Sequence, residues 1–112
     1  MDKVYNEEGK VAVLYSPGHG AGWSTWAHNH DVATKALFDP EVVQWVLDGK
    51  PEGKFAEDPH EYFRKKYGGY IYCGGLWNVE IEWVSPGTMF RINEYDGYES
   101  VEFIDNIEWS VA

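Results

Sequence analysis

Two runs of alternating apolar and polar residues meet at Asp96-Gly97, and this arrangement constrains the chain more than any other feature. Asp-Gly is a signal for a two-residue type I′ turn, and such a turn fixes which residues face each other. With Tyr95 opposite Tyr98, Ile92 faces Val101 and Phe90 faces Phe103 on one side, while Arg91 faces Glu102 and Asn93 faces Ser100 on the other. A slip of one residue would set apolar against charged side chains, so the register is specified. Before this hairpin Val79, Ile81 and Trp83 alternate with Glu80 and Glu82, and Ser85-Pro86-Gly87 makes the intervening turn. After it Ile107, Trp109 and Val111 alternate again. From residue 70 onward the period is two, which predicts an antiparallel β-meander.

A sheet with one apolar face needs a cover, and the first half of the chain supplies it. Residues 10–15 form an apolar run that Ser16-Pro17-Gly18 ends, as in a buried or half-buried strand. Asp31 is placed to cap a helix over residues 32–38. Asp39-Pro40-Glu41 starts a second helix whose apolar face is Val42, Val43, Trp45, Val46 and Leu47, and Asp48-Gly49 ends it. Asp58-Pro59 starts a third, stopped by Gly68-Gly69. The expected fold is α+β in a single domain over 1–112: an N-terminal strand, two or three short helices, then a four- to five-stranded antiparallel meander. The expected core is Val13, Val42, Trp45, Val46, Ile81, Trp83, Phe90, Ile92, Val101, Phe103 and Trp109.

A chain of 112 residues has room for one such core and not two. Its single cysteine, Cys73, makes no internal disulfide or Cys-x-x-Cys centre, which suits a reducing compartment. No apolar run approaches the ~20 residues that span a bilayer, and the first residues lack the pattern of a signal peptide, so a soluble, cytoplasmic protein is expected. The formal net charge is −10, and residues 78–112 carry eight of the 19 acidic side chains but only Arg91 as a base. That sign disfavours direct nucleic-acid or membrane binding and favours basic partners. The basic stretch Arg64-Lys65-Lys66-Tyr67 reads as a solvated helix face.

The chemistry-bearing candidates cluster after the first strand. Gly18, Gly20 and Gly22 fit neither a P-loop nor a dinucleotide fingerprint, yet a glycine run after a strand lets backbone N–H groups approach an anion. Tyr15, His19, Trp23 and Trp26 accompany them, and aromatic faces beside backbone donors suit a planar, nucleotide-like ligand. Tyr15, Gly18, His19, Gly20, Gly22, Trp23 and Trp26 are therefore the candidate ligand-binding residues. His28-x-His30-Asp31 has metal-ligand residue types but no cysteine partners, and neither metal nor cofactor is expected. Cys73 reads as a small buried hydrophobe.

Glu80 and Glu82 are the candidate partner-binding residues. Alternate carboxylates on a strand lie ~7 Å apart, close to the phosphate repeat of a nucleic-acid strand. Together with Glu94, Asp96, Glu99, Glu102, Asp105 and Glu108 they could form an acidic surface that masks a basic nucleic-acid-binding protein. Glu80-x-Glu82 with Ser24-Thr25 also resembles fragments of the ADP-ribosyltransferase pattern, although strand alternation alone accounts for both glutamates.

The segments Val13-Leu14-Tyr15-Ser16-Pro17-Gly18-His19-Gly20-Ala21-Gly22-Trp23-Ser24-Thr25-Trp26, most specifically from Ser16 on, and Phe90 to Ser100 resemble small proteins encoded by tailed bacteriophages and prophages. The resemblance implies a setting, the cytoplasm of an infected bacterium, and no activity. Three functions follow as expectations. The leading one is a non-enzymatic binding module that contacts a host protein or a small nucleotide-like ligand through residues 16–26. The second is a small enzyme acting on a nucleotide or phosphoester, with His19 as general base beside Ser24 and Glu80 or Glu82. The third is the acidic mimic of a nucleic-acid backbone.

Overall fold

Asp39 and Asp58 each precede a proline, and each caps a helix in the computed structural model, which describes residues 3–18, 22–27, 29–55, 58–95 and 98–103. Helix α1 spans His30–Phe38, α2 Pro40–Leu47 and α3 Pro59–Tyr67. In α2 the Asp39 carboxylate accepts from the Glu41 and Val42 amides, which would otherwise lack intrahelical partners. In α3 Asp58 accepts from the Glu61 amide, and Gly68 closes the helix at φ 74°, a left-handed conformation that glycine adopts without steric cost. The start of α1 differs from expectation. Asn29, not Asp31, is the cap: its side chain accepts from the Val32 amide, and Asp31 lies within the first turn.

Strand β1 spans Val11–Tyr15 and pairs antiparallel with β2, Glu80–Val84, so that Leu14 faces Ile81 and Val13 faces Glu82. Strands β3, Phe90–Tyr95, and β4, Tyr98–Phe103, form a second two-stranded sheet. Its register is the expected one: Phe90 with Phe103, Arg91 with Glu102, Ile92 with Val101, Asn93 with Ser100 and Tyr95 with Tyr98. Residues 96 and 97, which specify it, lie outside the described residues, as does the expected last strand at Ile107, Trp109 and Val111.

The fold is thus α+β, but the meander is corrected. Among the described residues β2 pairs with β1, across the whole helical segment, and not with its neighbour β3. Residues 70–79 do not continue the period of two either. Ile71 makes one isolated bridge to Ala27, and Leu76–Asn78 is a 3-10 turn. Gly74 and Gly75 interrupt any strand there. A Cβ on Gly75 would stand 2.2 Å from the Gly22 carbonyl oxygen, so this backbone is pressed against another.

Strand β1 is buried on both faces, which explains its unbroken apolar run. Ala12 and Leu14 join the larger core, with Trp23, Val42, Trp45, Phe63, Ile71 and Leu76. Val11 and Val13 join a smaller one, with Phe38 and Val84, which the hairpin covers through Phe90, Ile92, Val101 and Phe103. Of the expected core, Val13, Val42 and Trp45 are buried, while Val46, Ile81, Trp83 and the four hairpin residues are half-buried at its edges. The largest fully buried side chain at the front of the fold, Trp23, was expected in the binding loop instead.

A polar knot fastens α3 to the α1–α2 corner. Buried Asp39 takes the Lys66 ammonium at 2.9 Å and the Tyr67 hydroxyl, while Glu41 takes Lys66 at 3.0 Å and the Tyr62 hydroxyl. Burial, then Asp39, pushes the Tyr67 hydroxyl far above its ordinary 10.0. Burial, then the bond to Glu41, takes Tyr62 up to about 12. Burial, then Asp58, takes the Cys73 thiol from 9.0 to about 12. All three groups keep their protons in the folded chain at pH values where the unfolded chain has lost them. The unfolded state then binds fewer protons, so stability falls as pH rises. Thermal unfolding midpoints followed by circular dichroism should therefore decline from about pH 9, where Cys73 begins to contribute, and more steeply through 10 to 12. Tyr67→Phe should flatten the steep part, and an unchanged alkaline slope in that variant would show that Tyr67 is not held as described.

Candidate functional site

Backbone donors flanking the glycine run, rather than the glycines themselves, face an anion, and that anion is part of the chain. Glu99 on β4 is fully buried. Its Oε1 accepts from the Ser16 amide at 2.8 Å, just past the end of β1. Its Oε2 accepts from the Trp23 amide at 2.8 Å, the Thr25 amide at 3.1 Å and the Thr25 hydroxyl. The Glu99 amide returns a bond to the Ser16 carbonyl at 2.8 Å. None of the ion pairs among the described residues includes Glu99. The carboxylate is held by hydrogen bonds, most of them from oriented backbone amides, an arrangement that binds anions without a cation.

Sequence reasoning placed Glu99 on an exposed acidic surface, and its burial corrects that placement. The hairpin register puts Glu99 directly opposite Glu94, on the face of Phe90, Ile92, Val101 and Phe103. Glu94 accepts from the Trp26 indole N–H at 3.2 Å. Both acids of this like-charged pair therefore reach back to residues 16–26. Ser16 is buried as well, and its hydroxyl, next to Gly75, has no hydrogen-bond partner among the described residues.

The other residues singled out by the sequence divide into packing and rim. Trp23 is fully buried: its ring meets Phe63 edge-on at 5.3 Å, and its N–H donates to the Ala36 carbonyl at 2.9 Å. It offers no face to a ligand. Gly22 lies beneath the Trp26 ring, where a Cβ would stand 2.9 Å from ring carbons, and Gly18 abuts the Asn78 side chain. Trp26 is half-buried against Tyr72, with centroids 4.9 Å apart. His19 and Gly20 lie outside the described residues, as does His28.

Tyr15 and Glu80 come together at the rim. The Tyr15 hydroxyl donates to Glu80 Oε2 at 3.3 Å. Partial burial, then the charges of Glu80 and Glu82 and the nearby Tyr98, raise its pKa. Candidates from two separate parts of the sequence thus share one surface, and exposed Tyr98 on β4 extends it. Lys50, whose charge also meets that of Glu80, donates instead to the Trp77 carbonyl at 2.9 Å. Glu102 is paired with Arg91 at 2.8 Å.

Ser24 is buried, and Cys73, its thiol pushed up to about 12 by burial, keeps its proton at neutral pH. His30 opens α1, and among the described residues no three His, Cys, Asp or Glu side chains converge as metal ligands. A cavity of about 100 Å³ beside Lys3, Phe38, Val84 and Phe90 has only Lys3 and Tyr5 as titratable lining groups. Among the described residues no helix is long and apolar enough to cross a membrane. No known protein family, curated protein or solved structure matches the chain.

Proposed function

We propose that the chain is a non-enzymatic binding module that takes a basic protein surface on the face formed by Tyr15, Glu80, Glu82 and Tyr98. The observation that carries this reading is the bond from Tyr15 to Glu80 within reach of Glu82, which joins an aromatic ring to two carboxylates at the open end of the β1–β2 sheet. A lysine or arginine side chain meets there both an opposite charge and a ring face. The Ser16, Trp23 and Thr25 amides behind that face are bonded to Glu99 in the resting chain. In the bacteriophage setting that the resemblance implies, the partner is a basic host protein.

Capture from a bacterial lysate tests it. The wild-type chain should retain a basic protein at low salt and release it near physiological salt, since an exposed electrostatic contact is screened beyond ~8–10 Å. Glu80→Lys with Glu82→Lys should abolish capture, and Glu80→Lys alone, at the exposed position of the two, should shift stability by only about 0.5 kcal/mol. Capture that ignores salt and survives both reversals would overturn the proposal.

A further inference from the structure

Glu99 is an unusual residue to find at the centre of a fold, because burying a carboxylate costs several kcal/mol even after relaxation. An apolar residue would close the gap with less cost unless the surrounding donors are there in any case. They are. The Ser16, Trp23 and Thr25 amides belong to segments fixed by other contacts: β1 by its pairing with β2, and Trp23 by the Ala36 carbonyl and Phe63. Glu99 belongs to a different unit. The β3–β4 hairpin is its own two-stranded sheet, and among the described residues Glu99 is its single fully buried side chain. Its backbone joins β1 through the bond from the Glu99 amide to the Ser16 carbonyl.

We propose that the cradle formed by the Ser16, Trp23 and Thr25 amides and the Thr25 hydroxyl is a binding site for a small monocarboxylate, closed in the resting chain by Glu99 as an internal competitor carried on the hairpin. The donor pattern selects the class. One donor serves one oxygen and three serve the other, so a planar anion with two oxygens uses all of them. A phosphate dianion would bring a second charge to a buried carboxylate position that has no ion-paired cation among the described residues, and a net charge of −10 opposes its approach. The Ser16 hydroxyl, on the residue whose amide meets Glu99 Oε1, lies against Gly75 and has no hydrogen-bond partner among the described residues.

The test uses acetate. Glu99→Ala removes a carboxylate and the single carbon behind it, which is the composition of an acetate ion. In that variant acetate should raise the unfolding midpoint by roughly 5–8 °C for each tenfold excess over its dissociation constant, while chloride at equal ionic strength does not. The wild-type chain, with its site filled, should show no acetate-specific shift at the same concentrations. If the variant folds only when acetate is present, as read from the near-ultraviolet circular dichroism of its tryptophans, the site is likewise supported. A folded variant that responds equally to both salts overturns the proposal. If the variant folds in neither salt, amide exchange in the wild-type chain decides. Ser16, Trp23 and Thr25 should then exchange together with Asn93 and Ser100, whose amides lie on the paired side of the hairpin, at a lower opening free energy than Val43 in α2. Exchange of all these amides only with global unfolding would show that the hairpin does not open, and would overturn it.

Discussion

Glu99→Ala should lower the free energy of unfolding by about 3–5 kcal/mol, the largest loss expected of any single side chain on the hairpin. The estimate rests on what remains, not on what is removed. Three amides and a hydroxyl, oriented on a buried carboxylate, would be left without an acceptor. Each unsatisfied buried donor costs ~1–3 kcal/mol, and water entering the gap returns part of that sum. Glu99→Gln should lose less, since one carboxamide oxygen still accepts, but its NH2 group would face donors. Glu102→Ala is the matched control, on the same strand but in an exposed pair with Arg91, and should change stability by at most ~1 kcal/mol. Urea unfolding followed by tryptophan fluorescence measures all three. A loss for Glu99→Ala no greater than that of Glu102→Ala would mean that Glu99 is not bonded as described.

This contrast also marks how much of the structure is legible in the sequence. The hairpin register is legible because a period of two and a two-residue turn determine each other, and the structure reproduces each pair they specify. Helices α2 and α3 are legible because an Asp-Pro start and a glycine stop act within a few residues. The cap of α1 is ambiguous, because Asn29 and Asp31 both have capping side chains and only the reach of Asn29 to the Val32 amide decides between them. The pairing of β2 with β1 is a long-range choice, and no local pattern encodes it. Glu99 did leave a signal. Extending the register by one step sets Glu94 against Glu99 on the apolar face, a like-charged pair that is destabilising unless something else satisfies it. The Ser16, Trp23 and Thr25 donors that flank the glycines are that something, and the two anomalies answer each other. Their distance in sequence, from Trp23 to Glu99, is what kept them apart as separate features.

Asp39→Ala should lower stability by about 3 kcal/mol, from a site where the carboxylate is equally buried but its partners differ in kind. Part of the loss is the helix cap: the Glu41 and Val42 amides lose their acceptor, worth ~1 kcal/mol. The larger part is the Tyr67 hydroxyl, which is buried and donates to the other carboxylate oxygen. Lys66 suffers least, since it is partly exposed and keeps Glu41 at 3.0 Å. Asp39→Asn should recover the cap but only part of the bond from Tyr67, because a neutral acceptor replaces a charged one. Tyr67→Phe made in the Asp39→Ala background should then cost little, since the orphaned hydroxyl is gone, giving a coupling energy of ~1 kcal/mol or more in the double-mutant cycle. The corner matters for the cradle as well: α1, ending at Phe38 beside Asp39, carries the Ala36 carbonyl that fixes the Trp23 indole. Loosening it should therefore speed exchange at the Trp23 amide beyond the change at Ser100 on the hairpin. Additive losses in the cycle, or an increase in exchange at Trp23 no greater than at Ser100, would separate the knot from the site and leave Asp39 a helix cap alone.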